Sequence, residues 1–176
     1  PDTERALDAS LGQPSAEDRA GLLSGLEVRR PEISRSGFYI NATGSVLTTD
    51  EVLAQCSRIT FDGDQEAEVT LQDKSLGLAV LTPKTALSPM AHASLQTVAP
   101  RLNSEIAIAG FSYEDALDSP VVTFGALADT SGLSGETTLN RLALSALPGD
   151  AGGPVFDNAG SVIGMLLPRK SGGKVL

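Results

Sequence analysis

Few side chains in this sequence could do chemistry, and their spacing decides which chemistry is open to them. Asp50 and Glu51 are adjacent acids, the raw material of a carboxylate-dependent hydrolase. Sequence neighbours on a helical turn do not face each other, so the pair reads better as a solvated turn. Cys56 is the single cysteine and lacks a basic partner that would make it a nucleophile; His92, the single histidine, stands without a candidate partner in "PMAHASL". One cysteine and one histidine cannot build a structural zinc site, and a lone cysteine closes no intrachain disulfide. What remains is a run whose backbone matters more than its side chains: "LPGDAGGPVFDNAGSVIG", residues 147–164, where glycines and prolines crowd around Ala151.

The composition frames that run. A chain of 176 residues with 41% hydrophobic content can bury one core, or one core plus a small appendage. Eighteen glycines, ten prolines and no tryptophan favour many turns and short elements over a helical bundle. The net charge of −9 argues against nucleic acid, whose phosphates need basic side chains to neutralise them. The one basic cluster, Arg169, Lys170 and Lys174, lies in a Gly/Ser stretch and reads as a solvated loop. The longest apolar run, "VIGMLL", falls far short of the roughly 20 residues that cross a bilayer and suits a buried strand. The chain opens on Pro1, which is read as a processed form or an excised fragment with any targeting signal outside it.

The elements that must carry the glycine run divide at about residue 36. Residues 1–35 read as a helical arm and linker: Ser15 is a candidate N-cap, Leu22, Leu23 and Leu26 follow at helical spacing, and "RRPEISRSG" closes as a linker. From residue 36 to 176 the pattern changes to strands and turns. Ten β-branched or alternating runs follow: "GFYI", "SVLTT", "RITF", "AEVTLQ", "LAVLTP", "EIAIAGFSY", "VVTFGALAD", "TLNRLAL", "GPVFD" and "VIGMLLP". Short strands with tight turns and almost no helix predict an all-β sandwich or barrels. "INATGSVL" and "FDNAGSVIG" resemble each other as Asn-Ala-(Thr)-Gly turns feeding Ser-Val, a likeness that turn chemistry alone can produce. Asn41-Ala42-Thr43 also spells a glycosylation sequon, for which a hairpin turn is sufficient explanation.

Three segments together resemble a known family. "GDAGGPVFDNAGSVIGM" is similar to the nucleophile loop of trypsin-like serine proteases, Gly-Asp-Ser-Gly-Gly-Pro followed by a hairpin, particularly in the bacterial HtrA-type branch. "SGFYINATGSVLTTDEVL" resembles the segment that carries that branch's histidine, and "LGLAVL" resembles its Asp-Leu-Ala-Val-Leu strand. The three occur in the family's chain order over about residues 36–168. The resemblance implies two six-stranded antiparallel β-barrels, the first over about 36–95 and the second over about 100–176, with a closing strand missing at the C-terminus.

The same resemblance places the triad positions at Glu51, Gly77 and Ala151, so that each lacks the family's residue. A triad needs a hydroxyl nucleophile, an imidazole to take its proton and a carboxylate to orient the imidazole. Ala151 has no hydroxyl, an exposed Glu51 is a weak base at neutral pH, and Gly77 offers no side chain. Loss of one such group costs on the order of 10⁶ in turnover. The oxyanion loop survives as Gly149, Asp150, Ala151 and Gly152, whose family counterparts hold the oxyanion on the amides of Gly149 and Ala151. Ser145 falls at the specificity-pocket position, Leu167 stands where a small polar residue is common, and Pro168 removes a backbone donor from the strand that would pair with a peptide. The expectation is therefore a catalytically inactive pseudoprotease with trypsin-like fold: a protein-binding, scaffolding or regulatory module of a larger bacterial protein outside the cytoplasm. No cofactor or metal is implied, the expected partner is a protein, and nucleic acid and a membrane span in this segment are not. The alternative is a serine endopeptidase captured as a Ser-to-Ala mutant at Ala151.

Overall fold

All ten runs form strands. The computed structural model describes residues 31–54, 56–61 and 65–168; the helical arm expected over the N-terminal residues and the basic cluster at the C-terminal end lie outside them. The strands are β1 (Gly37–Tyr39), β2 (Val46–Thr49), β3 (Thr60–Phe61), β4 (Gln65–Asp73), β5 (Leu78–Pro83), β6 (Glu105–Gly110), β7 (Val121–Asp129), β8 (Arg141–Ala143), β9 (Pro154–Phe156) and β10 (Val162–Met165). Three single 3-10 turns, Asp50–Leu53, Glu114–Ala116 and Pro148–Asp150, are the helical elements among the described residues.

The strands make two antiparallel five-stranded sheets, ordered β1-β2-β5-β4-β3 and β10-β9-β6-β7-β8. Period-two alternation puts Ala79 and Leu81 of β5 inward beside Val46 of β2, and Ile106 and Ile108 of β6 inward beside Val155 of β9 and the buried Leu166. Register slips at Val69/Leu71, Leu127/Asp129 and Val162/Gly164 curl the sheets. Two curled antiparallel sheets with almost no helix are the trypsin-like double-barrel architecture, each half-barrel showing five strands among the described residues where six were expected. β8 and β10 are the free edges of the second sheet, and between them opens an apolar cavity of about 200 Å³ lined by Leu127, Leu142, Val155, Ile163, Met165 and Leu167 among others.

The two similar hairpins are structural twins, in a register the sequence reading missed. Asn41 Oδ1 accepts from the amides of Thr43 and Ser45 at 3.1 and 3.0 Å; Asp157 Oδ1 accepts from the amides of Ala159 and Ser161 at 2.9 and 2.8 Å. The counterpart of Asn41 is thus Asp157, one residue before the asparagine that the matched "NA" suggested. Either side chain makes the same Asx turn, because each offers one oxygen two residues ahead of an amide.

Candidate functional site

The site is assembled from three turns, each at the end of a strand. β2 runs directly into the turn Asp50–Leu53, which carries Glu51. The turn between β4 and β5 carries Gly77 at φ +70, and its carbonyl accepts from the Asp50 amide at 3.1 Å, so positions 50 and 77 lie side by side. A Cβ built on Gly77 would stand 3.8 Å from both Asp50 Oδ1 and Leu167 Cδ2. Leu167 therefore lies beside position 77.

Glu51, with a side chain 37% exposed, is held by a cation. Arg35 Nε donates to Glu51 Oε2 at 2.8 Å, and the same guanidinium donates through Nη1 to Glu114 Oε1 at 3.2 Å and to the Ser34 carbonyl at 2.8 Å. Arg35 is 17% exposed, so the pair with Glu51 is partly shielded from solvent. Glu114 holds φ +57, a left-handed conformation costing a residue with a Cβ about 1–2 kcal/mol. Its amide donates to Phe111 O at 2.8 Å and its side chain receives Arg35, which together offset that strain.

Ala151 ends the third turn, Pro148–Asp150, and is buried. Its amide donates to Pro148 O at 3.3 Å within the turn, and the Asp150 amide donates to Leu147 O at 3.1 Å. The Ala151 amide, which the resemblance assigns to an oxyanion, is thus bonded within its own turn. Gly149 touches the β6 side so closely that a Cβ would strike the Phe111 carbonyl. At Gly152 (φ +90) a Cβ would strike the Ser36 carbonyl. Asp150 is 1% exposed, with Oδ1 accepting from Ser112 Oγ at 2.6 Å and Oδ2 from the Leu147 amide at 2.8 Å. Both carboxyl oxygens thus have donors despite burial.

Ser36 ties these parts together. Its amide donates to Gly149 O and Ala151 O at 3.1 and 2.9 Å, its Oγ donates to Gly149 O at 2.7 Å and accepts from the Phe111 amide at 2.8 Å, and its carbonyl accepts from Thr48 Oγ1 at 2.7 Å. Arg35 and Ser36, neighbours in the chain, thus link Glu51 to the turn that ends at Ala151, while Gly77 adjoins Asp50. The segment read from sequence as a linker is, at its C-terminal end, the most heavily bonded part of the site.

The other candidates differ in exposure. His92 is exposed in the connection between the sheets, Ser145 is exposed beyond β8, and Cys56 is a half-buried free thiol. Asp50 and Glu51 diverge, one towards Gly77 and the other towards Arg35. Among the described residues no group of three or more His, Cys, Asp or Glu could hold a metal, and no helix is long and apolar enough to cross a membrane. Sequence reasoning missed Arg35, Ser36, Ser112 and Glu114, whose roles depend on contacts across the whole chain.

Two half-barrels with a Gly-Asp-Ala-Gly-Gly-Pro turn between them define a chymotrypsin-type scaffold. The chain belongs to the trypsin-like peptidase domain family, whose profile matches residues 35–165. Among solved structures it is similar to the MamO protease domain of Magnetospirillum magneticum in its apo form (20% identity, 84% of this chain and 83% of that one, TM-score 0.65). An inactive serine-to-alanine mutant of Rv3671c from M. tuberculosis H37Rv is similar at 23% identity, over 81% of this chain and 75% of that one, with TM-score 0.63. A serine endoprotease from Yersinia pestis shares 19% identity over 84% of this chain and 54% of its own, with TM-score 0.66. A curated relative, the uncharacterized protein y4bJ of Sinorhizobium fredii, is 26% identical over 162 residues, covering 89% of this chain and 25% of that protein. The chain thus spans about a quarter of that relative's length.

Proposed function

We infer that this domain is a pseudoprotease: a trypsin-like scaffold that does not cut peptide bonds and serves as a protein-binding, scaffolding or regulatory module of a larger extracytoplasmic bacterial protein. The observation that carries this reading is that Glu51, Gly77 and Ala151, the positions to which the resemblance assigns the triad, each sit among contacts suited to the residue present. Arg35 engages Glu51. Gly77 uses a left-handed backbone, and a carboxylate there would face Asp50. Ala151 has no hydroxyl, and its amide is bonded within its own turn.

Those contacts weigh against the alternative of an endopeptidase with an unusual base trapped by one Ser-to-Ala exchange, since Glu51, the group at the base position, is engaged by Arg35. The size of the curated relative supports placement in a larger protein, and the family resemblance supports a location outside the cytoplasm. The test is hydrolysis of casein by the Ala151→Ser variant. Turnover at the rate of buffer alone is expected; sustained hydrolysis would establish an endopeptidase instead.

A further inference from the structure

We propose that Arg35 and Ser36 form an internal strap that holds the turn Pro148–Asp150 in its closed form, with the Ala151 amide withdrawn onto Pro148. The inference rests on the pseudoprotease reading only for its functional meaning; the device itself stands on geometry.

In a trans peptide the carbonyl of one residue and the amide of the next point in opposite directions. Ser36 directs two donors, its amide and its Oγ, at the Gly149 carbonyl. Fixing that carbonyl aims the Asp150 amide the other way, at Leu147 O, which is the first bond of the closed turn. The Ser36 amide also takes the Ala151 carbonyl, and the Gly152 amide of that peptide is correspondingly aimed at Leu166 O at 2.8 Å. The peptide between these two fixed units carries the Ala151 amide, which has Pro148 O as its partner, while the Asp150 carbonyl on its other side accepts from the Gly153 amide at 2.9 Å.

Arg35 supplies the anchorage. Its guanidinium is held by Glu51 on the turn after β2 and by Glu114 on the turn after β6, and the Ser34 carbonyl closes the third side. Ser36, the next residue, is 2% exposed and has no room to swing away while Arg35 stays bound. The two residues preceding β1 thereby hold the turn in its closed form.

Backbone amide exchange in the isotopically labelled full chain tests this. Ser36→Ala and, separately, Arg35→Met should each lower protection of the Ala151 amide by about tenfold or more, the order expected for losing hydrogen bonds and a part-buried ion pair, while the Ile106 and Ile108 amides of β6 keep theirs. Should Ser36→Ala fail to fold, Arg35→Met alone decides. Raising NaCl from about 0.05 to about 1 M should move Ala151 in the same direction, because Arg35's ion pairs are screened. Unchanged Ala151 protection in these variants, or a loss that only follows that of Ile106 and Ile108, would overturn the strap. Exchange reads the turn and not cleavage, so a proteolytically active Ala151→Ser variant would refute the pseudoprotease reading while leaving the strap to stand or fall by its own result.

Discussion

Ser36 and Gly149 lie 113 residues apart in the chain, and one carbonyl joins them: Gly149 O receives both the Ser36 amide at 3.1 Å and the Ser36 hydroxyl at 2.7 Å. This contact fastens the start of β1 to the turn before β9, and Arg35 beside it extends the link to Glu51 and Glu114. Positions 51 and 151 are therefore tied into one network of polar contacts. That arrangement makes definite demands on substitutions.

Asp150 depends on Ser112. The hydroxyl is the donor to Oδ1 in a buried setting, so Ser112→Ala leaves a carboxyl oxygen without its partner and should lower stability by about 1–3 kcal/mol. The urea midpoint should fall with an unchanged slope.

Gly77 should resist the family's aspartate. Gly77→Asp places a side chain on a backbone at φ +70 and aims it at Asp50 Oδ1, which a Cβ alone would approach to 3.8 Å. Asparagine tolerates the left-handed region and adds no charge, so Gly77→Asn should cost less than Gly77→Asp. Adding Asp50→Asn to Gly77→Asp should recover part of the difference. Thermal unfolding of the parent, Gly77→Asp, Asp50→Asn and the double variant measures the coupling.

Ten strands were legible because β-branched alternation and turn residues act locally; each run quoted from the sequence became a strand. Gly149 and Gly152 were legible as a backbone requirement for the same reason, and the structure supplies the cause in the nearby Phe111 and Ser36 carbonyls. Arg35, Ser36, Ser112 and Glu114 were not. A serine that receives and donates across the fold has no periodicity, and Arg35 reaches Glu114 over 79 residues of chain. Resemblance to the family also directed attention to positions 51, 77 and 151, and away from the residues that contact them. The matched "NA" in the two hairpins misled for a related reason: the turns share an oxygen position, and Asn41 and Asp157 supply it from different residue types.

Acid should weaken the first sheet through Glu66. Hydrogen bonds from Lys84 and Arg58, with their charges, hold its carboxyl below the ordinary 4.5, and the bond to Glu66 raises Lys84 above 10.5. A carboxyl depressed on folding stabilises fully above its unfolded value and loses that contribution as pH falls through its folded one; a raised lysine stabilises below its unfolded value and loses its contribution as pH rises through its folded one. Glu66→Gln should therefore flatten both the acid limb below about pH 4.5 and the alkaline limb above about pH 10.5 in a plot of urea midpoint against pH. Asp129, depressed by hydrogen bonds from Arg141 and Ser131, and Asp73, depressed by hydrogen bonds from the Ser75 hydroxyl and the Leu76 amide, leave a residual acid limb that Asp129→Asn should reduce.

Gly152 should admit no side chain. Gly152→Ala combines φ +90 with a collision against the Ser36 carbonyl, and both partners are backbone that cannot swing aside. The variant should accumulate as insoluble protein or show a loss of several kcal/mol, well above the roughly 1 kcal/mol of an ordinary exposed glycine exchange. Gly160→Ala, at φ +80 in open space, separates strain from collision and should fold with a smaller loss.

The most direct measurement is covalent labelling of the Ala151→Ser variant by a fluorophosphonate, followed by intact mass. A hydroxyl at 151 would have Glu51 held by Arg35 in place of a free imidazole, no carboxylate at 77, and its own amide turned to Pro148. The expected spectrum is that of unmodified protein after hours of exposure. A stoichiometric phosphonyl adduct at position 151 would contradict the account.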